Sequence, residues 1–222
     1  MRRYGISLFL GLATLLLASC ATTIQAPPPL KITQDEKVYL KIVPAPNAFG
    51  LGMTMISLGG AAFGAVDMTP KSKSPEFREI AGENRIQAWQ KHLLDQIIAD
   101  AGKSGLIVMD AAELNGRPLQ KNEQLITLRS FGALYIAKTI AHSYQLRAFA
   151  LIDSSQDGPL PEGQRRYARD TRVVLENDKY EFATSAAVLQ QSDLAMQGID
   201  IVIDMFARHV AQQLLAARDS GK

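Results

Sequence analysis

The chain has 222 residues, a formal net charge of +2 and a single cysteine, Cys20. Its length suits one domain with one hydrophobic core. A chain this close to neutral lacks the basic surface that nucleic-acid binding requires, so no nucleic-acid partner is expected. One cysteine excludes an internal disulfide, and modification of that cysteine would also exclude a thiolate metal site.

The N-terminus has the three zones of an export signal. Arg2 and Arg3 are basic, residues 5–17 are uncharged and rich in leucine, and small residues precede Cys20. The apolar core is shorter than the roughly 20 residues of a transmembrane helix. We therefore predict a signal peptide over residues 1–19, cleaved between Ser19 and Cys20. A soluble secreted protein with a chance cysteine is the alternative. Removal of the two arginines leaves a mature chain with a net charge of about zero.

The cleavage region resembles the lipobox of bacterial lipoproteins at all four of its positions, Leu17, Ala18, Ser19 and Cys20. The resemblance implies a lipid anchor on Cys20, with membrane lipid as a partner. Two or three acyl chains hold a protein on a bilayer far longer than one chain does. Ala21 in the next position resembles the outer-membrane sorting signal of Gram-negative bacteria. The implied location is the periplasmic side of the outer membrane, with the outer leaflet of the inner membrane as the alternative.

The segment after the anchor is predicted to be an extended tether. Pro27, Pro28 and Pro29 favour a polyproline conformation, so residues 20–35 should hold the domain a few nanometres off the bilayer. Residues 36–222 are predicted to form a single α/β domain. Its first strand should cover residues 37–44, where side chains alternate, and should end at Pro44 and Pro46.

Residues 47–66 are uncharged and contain five glycines. Gly60 and Gly64 have the G-x-x-x-G spacing that lets apolar helices approach closely in a membrane, and the length would span a bilayer. Two interpretations stay open: a buried helix or mobile apolar loop, or a segment that contacts a membrane or a partner. The candidate contact residues under the second interpretation are Phe49, Met53, Met55, Ile56, Gly60, Phe63 and Gly64.

The rest of the domain alternates helices and strands. A long helix should begin at Ser74, with Pro75 in its first turn, and end at Gly102 and Gly105. Apolar residues at helical spacing predict a second long helix over residues 193–217. Strands are predicted over residues 106–109, 134–144, 146–153 and 171–175, and a short helix over residues 122–131, closed by Gly132. This order predicts an α/β fold in which two long helices pack on a mixed sheet.

Part of this order resembles a known family. Two strands over residues 134–144 and 146–153, a polar turn ending at Asp157 and Gly158, a further strand and a long C-terminal helix resemble the second half of the periplasmic domain of the curli-secretion-channel lipoprotein family. The resemblance covers roughly 130 residues and concerns the order of elements, so it implies a fold and no activity.

No catalytic, metal or cofactor motif stands out. His92, His142 and His209 have no second histidine at ligand spacing, so no metal or cofactor is expected. Ser57 lacks the G-x-S-x-G elbow of a hydrolase, and the glycines around it lack the spacing of a dinucleotide fingerprint.

Two sets of charged residues remain. Asp67, Asp110 and Asp153 follow strands or apolar segments and are predicted to cap and form turns rather than to catalyse. A basic cluster near Lys179 could face lipid head groups, an acidic partner or solvent, and comprises Arg165, Arg166, Arg169 and Arg172.

We therefore predict a non-enzymatic accessory or assembly lipoprotein of the cell envelope, anchored through Cys20, that assembles with itself or with an envelope partner. One alternative is an oligomeric lipoprotein that inserts residues 47–66 into a membrane or forms a pore. The other is an envelope enzyme without a recognisable motif.

Overall fold

The structure is a computed structural model that describes residues 24–52, 74–138, 143–167 and 169–220. In these ranges the helices are α1 (Ser74–Ala81), α2 (Glu83–Lys103), α3 (Ser185–Gln190) and α4 (Ser192–Asp219). The strands are β1 (Ile24–Gln25), β2 (Lys37–Gly52), β3 (Val108–Asp110), β4 (Glu123–Ala137), β5 (Tyr144–Ser154), β6 (Arg165–Arg166) and β7 (Arg169–Val174). The predicted fold class is confirmed: a mixed sheet with two long helices packed on it.

The five-stranded sheet has the order β3-β2-β4-β5-β7, and only β5 runs against its neighbours. Four strands therefore begin at one end of the sheet, where β5 finishes at Ser154. We call this the tether end. The opposite end, where β2 leaves at Gly52 and β5 starts at Tyr144, is the far end. β2 has 16 residues, so the two ends lie up to roughly 50 Å apart at about 3.3 Å per residue.

Aromatic rings join both long helices to the sheet. Trp89 of α2 lies 5.1 Å from Phe49 of β2, which lies 5.8 Å from Phe131 of β4, and Phe131 lies 5.4 Å from Phe206 of α4, measured between ring centroids. Apolar residues at helical spacing are buried in both helices, as expected for faces turned toward one core. These residues are Ile86, Trp89, Leu93 and Ile97 in α2, and Ile199, Val202, Phe206, Val210 and Leu214 in α4.

The prediction that β2 ends at its prolines is wrong. The register between β2 and β4 shifts on both sides of Pro44 and resumes at Phe49, opposite Ala133. Proline has no N–H to donate, and an irregularity in the ladder is where a strand accommodates it. The strand then continues to Gly52.

The continuation of β2 corrects one candidate contact. The Phe49 side chain is fully buried between Trp89 and Phe131, so it is part of the core and not a membrane or partner contact. The other candidates, Met53, Met55, Ile56, Gly60, Phe63 and Gly64, lie outside the described residues.

The short helix predicted over residues 122–131 is also wrong, because that segment is the first part of β4. Gln124, Ile126 and Leu128 are fully buried at strand spacing. Gly132 ends no helix: a Cβ there would lie 3.0 Å from the Phe149 ring and 3.1 Å from the Ala48 carbonyl oxygen. The glycine instead permits close packing where the register with β5 shifts.

The first long helix is divided into α1 and α2. Gly82 separates them with a φ of 77°, a left-handed conformation that glycine adopts without a steric penalty. Gly105, with a φ of 78°, lies just beyond the end of α2, as the sequence predicts.

Candidate functional site

The tether is packed against the domain over the part that the structure describes. Ile32 is fully buried, and its N–H donates to the Ala217 carbonyl oxygen in α4 at 3.3 Å. β1 pairs in parallel with β6, and the Tyr167 N–H donates to the Gln25 carbonyl oxygen at 3.0 Å. The predicted free spacer is therefore wrong for residues 24–35. Ile32 is buried and Leu30 packs against the core. This burial outweighs the preference of the neighbouring prolines for a solvated, extended chain.

Asp157 is the centre of an ion-pair cluster beside the tether. Its carboxylate accepts three hydrogen bonds from the Arg169 guanidinium, at 2.6, 3.0 and 3.3 Å, and one from the Ser154 N–H at 2.9 Å. Arg166 donates to the Asp157 carbonyl oxygen at 2.5 Å. All three charged side chains are less than one-fifth exposed. Two arginines of the predicted basic cluster therefore connect β6 and β7 to the end of β5.

A second polar network connects the tether to the same turn. The Gln156 side-chain amide donates to Glu36 Oε1 at 2.7 Å, and the other oxygen of that carboxylate accepts the Thr33 N–H at 2.9 Å. Glu36 is buried. A cleft of about 220 Å³ lies between residues 28–31 and the Asp157–Arg169 pair. A second cleft of about 310 Å³ shares Leu30 and Arg169 with the first and extends to Gln213 and Ser220.

A third cluster holds the loop before β4 at this end. Arg117 donates to both oxygens of Glu123, at 2.6 and 2.8 Å, and to the Tyr39 hydroxyl at 2.7 Å. The Gln120 N–H also donates to Glu123, at 2.9 Å. These bonds, the one from Arg117 foremost, lower the pKa of Glu123 to about 2. The carboxylate is saturated with partners, which indicates a structural role.

Of the remaining members of the basic cluster, two contact a neighbouring side chain and one is exposed to solvent. Arg172 lies 3.9 Å from Asp170, and Lys179 lies over the Tyr180 ring at 5.1 Å. Arg165 is exposed and has no ion pair with any described residue. The five basic residues therefore do not form one shared site.

Among the predicted turn-forming aspartates, Asp110 accepts the Ala112 N–H at 2.9 Å, which confirms its capping role. Asp153 pairs with Arg129 at 2.8 Å. Cys20, Ser19, Asp67 and His142 lie outside the described residues.

Both described histidines contact polar neighbours on a helix surface. His92 lies 2.7 Å from Asp204, and His209 lies 3.0 Å from Gln213. Across the described ranges, no group of three His, Cys, Asp or Glu side chains could hold a metal ion.

Two surface residues at the tether end were missed in the sequence. Ile107 and Tyr167 are 54% and 40% exposed, and Ile80 is the third large apolar residue exposed among those described. Ile107 accepts the Val38 N–H at the start of β2, and Tyr167 precedes β7. Ile107 lies within the strand predicted over residues 106–109, but β3 begins only at Val108 and the Ile107 side chain is exposed. Tyr167 belongs to no pattern, so only the fold reveals its exposure.

No protein-family model matches the chain, and no curated protein is significantly similar to it. None of the described helices is both long enough and apolar enough to span a bilayer. The functional assignment therefore depends on the chain's own residues.

Proposed function

We propose that the protein is a lipid-anchored accessory or assembly component of the bacterial cell envelope, attached through Cys20 and without enzymatic activity of its own. Its proposed location is the periplasmic side of the outer membrane. The lipobox-like residues 17–20 support the anchor. The packing of the tether against the domain supports a position in which the tether end lies close to the bilayer.

The observation that carries this proposal is the docking of residues 24–35. Only residues 21–23 separate Cys20 from Ile24, the first residue paired with the domain. Four Cα–Cα steps at about 3.6 Å allow at most roughly 14 Å. A lipid on Cys20 would hold the tether end against the bilayer instead of suspending the domain far above it. Such rigid placement suits a protein that assembles at a membrane surface.

The far end would then be available to a partner. The chain leaves β2 at Gly52 and resumes in α1, where Arg78 donates to the Pro46 carbonyl oxygen at 3.2 Å. Residues 53–73 are therefore joined to the far half of the domain. We propose that the apolar candidates among them, such as Met55, contact another copy or an envelope protein instead of the membrane that holds the anchor.

The alternative of membrane insertion has less support. Six residues of the uncharged segment, 47–52, belong to β2. The remaining residues 53–66 number 14, fewer than the roughly 17–25 that a transmembrane helix needs.

The test is Cys20→Ser in cells that make the full chain, with Thr22→Ser as the matched control outside the lipobox. We expect Cys20→Ser to lose labelling by radioactive palmitate and to accumulate as the unprocessed precursor, whereas the control is labelled and processed. Solubilised membranes from the control should yield the protein in a complex larger than one copy. Normal processing and membrane retention of Cys20→Ser would refute the anchor, and a monomer from intact membranes would refute the assembly role.

A further inference from the structure

We propose that the tether-end surface around Arg165 and Tyr167 lies on anionic phospholipid head groups. This inference depends on the proposed lipidation of Cys20. Beyond that attachment, it specifies which face of the domain binds lipid and how the domain is oriented on the bilayer.

The geometry limits how far this surface can be from the bilayer. Arg165 is paired with Ile24 across two parallel strands, which lie about 5 Å apart. Added to the roughly 14 Å reach from Cys20, this places the Arg165 backbone within about 20 Å of the lipidated residue. Tyr167 donates its N–H to Gln25, which is one Cα step beyond Ile24, so its backbone lies within about 23 Å of the lipidated residue.

The exposed chemistry suits a head-group layer. Arg166 and Arg169 both pair with the Asp157 carboxylate, whereas the Arg165 guanidinium has no ion pair with a described residue. Tyr167 exposes an aromatic ring with a polar tip, and tyrosine is enriched at membrane–water interfaces. Each basic residue near an anionic membrane contributes about a fivefold gain in binding.

Exposed cations outnumber exposed carboxylates near this surface. Segments that enter or leave the tether end carry four exposed cations without an ion pair to described residues, namely Lys31, Lys37, Lys121 and Arg165. They carry three exposed carboxylates in the same condition, Asp35, Glu113 and Glu162. Ile107 adds an exposed apolar side chain at the start of β3. Among these exposed groups the cations exceed the carboxylates by one. The exposed Arg165 guanidinium together with the Tyr167 ring favours phosphate head groups as the occupant of this surface.

The experiment uses the purified, lipidated full chain in vesicles of phosphatidylcholine with or without phosphatidylglycerol. Cys20 is the only cysteine, and the thioether would occupy its sulfur, so an introduced cysteine is a unique labelling site. Glu162→Cys places an environment-sensitive fluorophore three residues from Arg165. Glu79→Cys, exposed on α1 in the far half, is the matched control. A nitroxide on the lipid head group serves as the quencher.

We expect loss of fluorescence at position 162 and little loss at position 79, with greater loss at 162 when phosphatidylglycerol is present. Adding Arg165→Gln to Glu162→Cys should lower the ratio of head-group-bound to unbound domains by about fivefold. Equal quenching at both positions would overturn the inference while leaving the anchor intact. So would quenching at position 162 that changes neither with phosphatidylglycerol nor with Arg165→Gln. Protection of position 162 by a co-purified protein would also overturn it, because the occupant would be protein. Failure of the protein to stay on the vesicles would refute the anchor and this inference together.

Discussion

Gly198 of α4 lies close against the sheet, and Gly198→Ala tests how tightly the helix and the sheet pack. An added Cβ would lie 2.5 Å from the Tyr135 hydroxyl oxygen and 3.3 Å from a Leu146 methyl group. Tyr135 is fully buried, and its hydroxyl donates to the Ala195 carbonyl oxygen at 3.0 Å. The ring also packs edge-on against Phe182 at 5.2 Å, so the tyrosine has no free direction in which to move.

The expected loss of stability follows from three contributions. Overpacking a filled core costs about 1–3 kcal/mol. Displacement of the Tyr135 hydroxyl from its acceptor costs about 1 kcal/mol more. The higher helix propensity of alanine offsets about 1 kcal/mol. We therefore expect Gly198→Ala to lower the free energy of unfolding by about 1–3 kcal/mol.

The assay is urea unfolding followed by far-UV circular dichroism, with Gly102→Ala as the matched control. A Cβ at Gly102, also helical, meets no described heavy atom within 4 Å, so this variant should be unchanged or slightly more stable. Combining Gly198→Ala with Tyr135→Phe removes the closest oxygen and should restore part of the loss. If Gly198→Ala is as stable as Gly102→Ala, the described contact between α4 and β4 is wrong.

Three further variants test the core and the charged clusters. Trp89→Ala should destabilise the domain by about 3–5 kcal/mol, because the ring is 4% exposed; a loss below about 1 kcal/mol in urea unfolding would remove Trp89 from the core. Arg117 lowers the pKa of Glu123 to about 2 from an ordinary 4.5, so the unfolded chain binds more protons between these values and acid destabilises the fold there. Melting temperatures should fall less steeply from pH 5 to pH 2 in Arg117→Gln than in the natural chain, and parallel curves would contradict this linkage. Asp157→Asn should lower stability by about 2–4 kcal/mol, because the Arg169 charge is left without its partner; unchanged unfolding would show that the pair is dispensable.

The long helices and the fold class were predictable because helical periodicity is a local signal. Each buried stripe in α2 and α4 repeats over several turns, and the apolar face of a helix must pack somewhere. The first part of β4 was not predictable in the same way. Residues 122–131 have side chains compatible with helix or strand, and the pairing with β2 and β5 decides between the two. Local preference is weaker than that pairing.

The candidate surface was less accessible to sequence reasoning. The sequence predicts one basic cluster of four neighbouring arginines, but in the fold Arg166 and Arg169 pair with Asp157 and Arg165 is exposed. Tyr167 carried no signal because a single aromatic residue in a polar loop is compatible with burial or exposure.

The sequence alone supports a specific prediction for the membrane anchor, since the residues of a lipobox act as a contiguous segment and need no fold. It also determined the buried faces of the long helices. Tertiary structure decided that Ile32 docks the tether beside Ala217, that Phe49 belongs to the core and that Arg165 has no ion pair with a described residue. Each of these outcomes depends on contacts between residues far apart in the chain, and burial and charge neutralisation are properties of such contacts rather than of the residues alone.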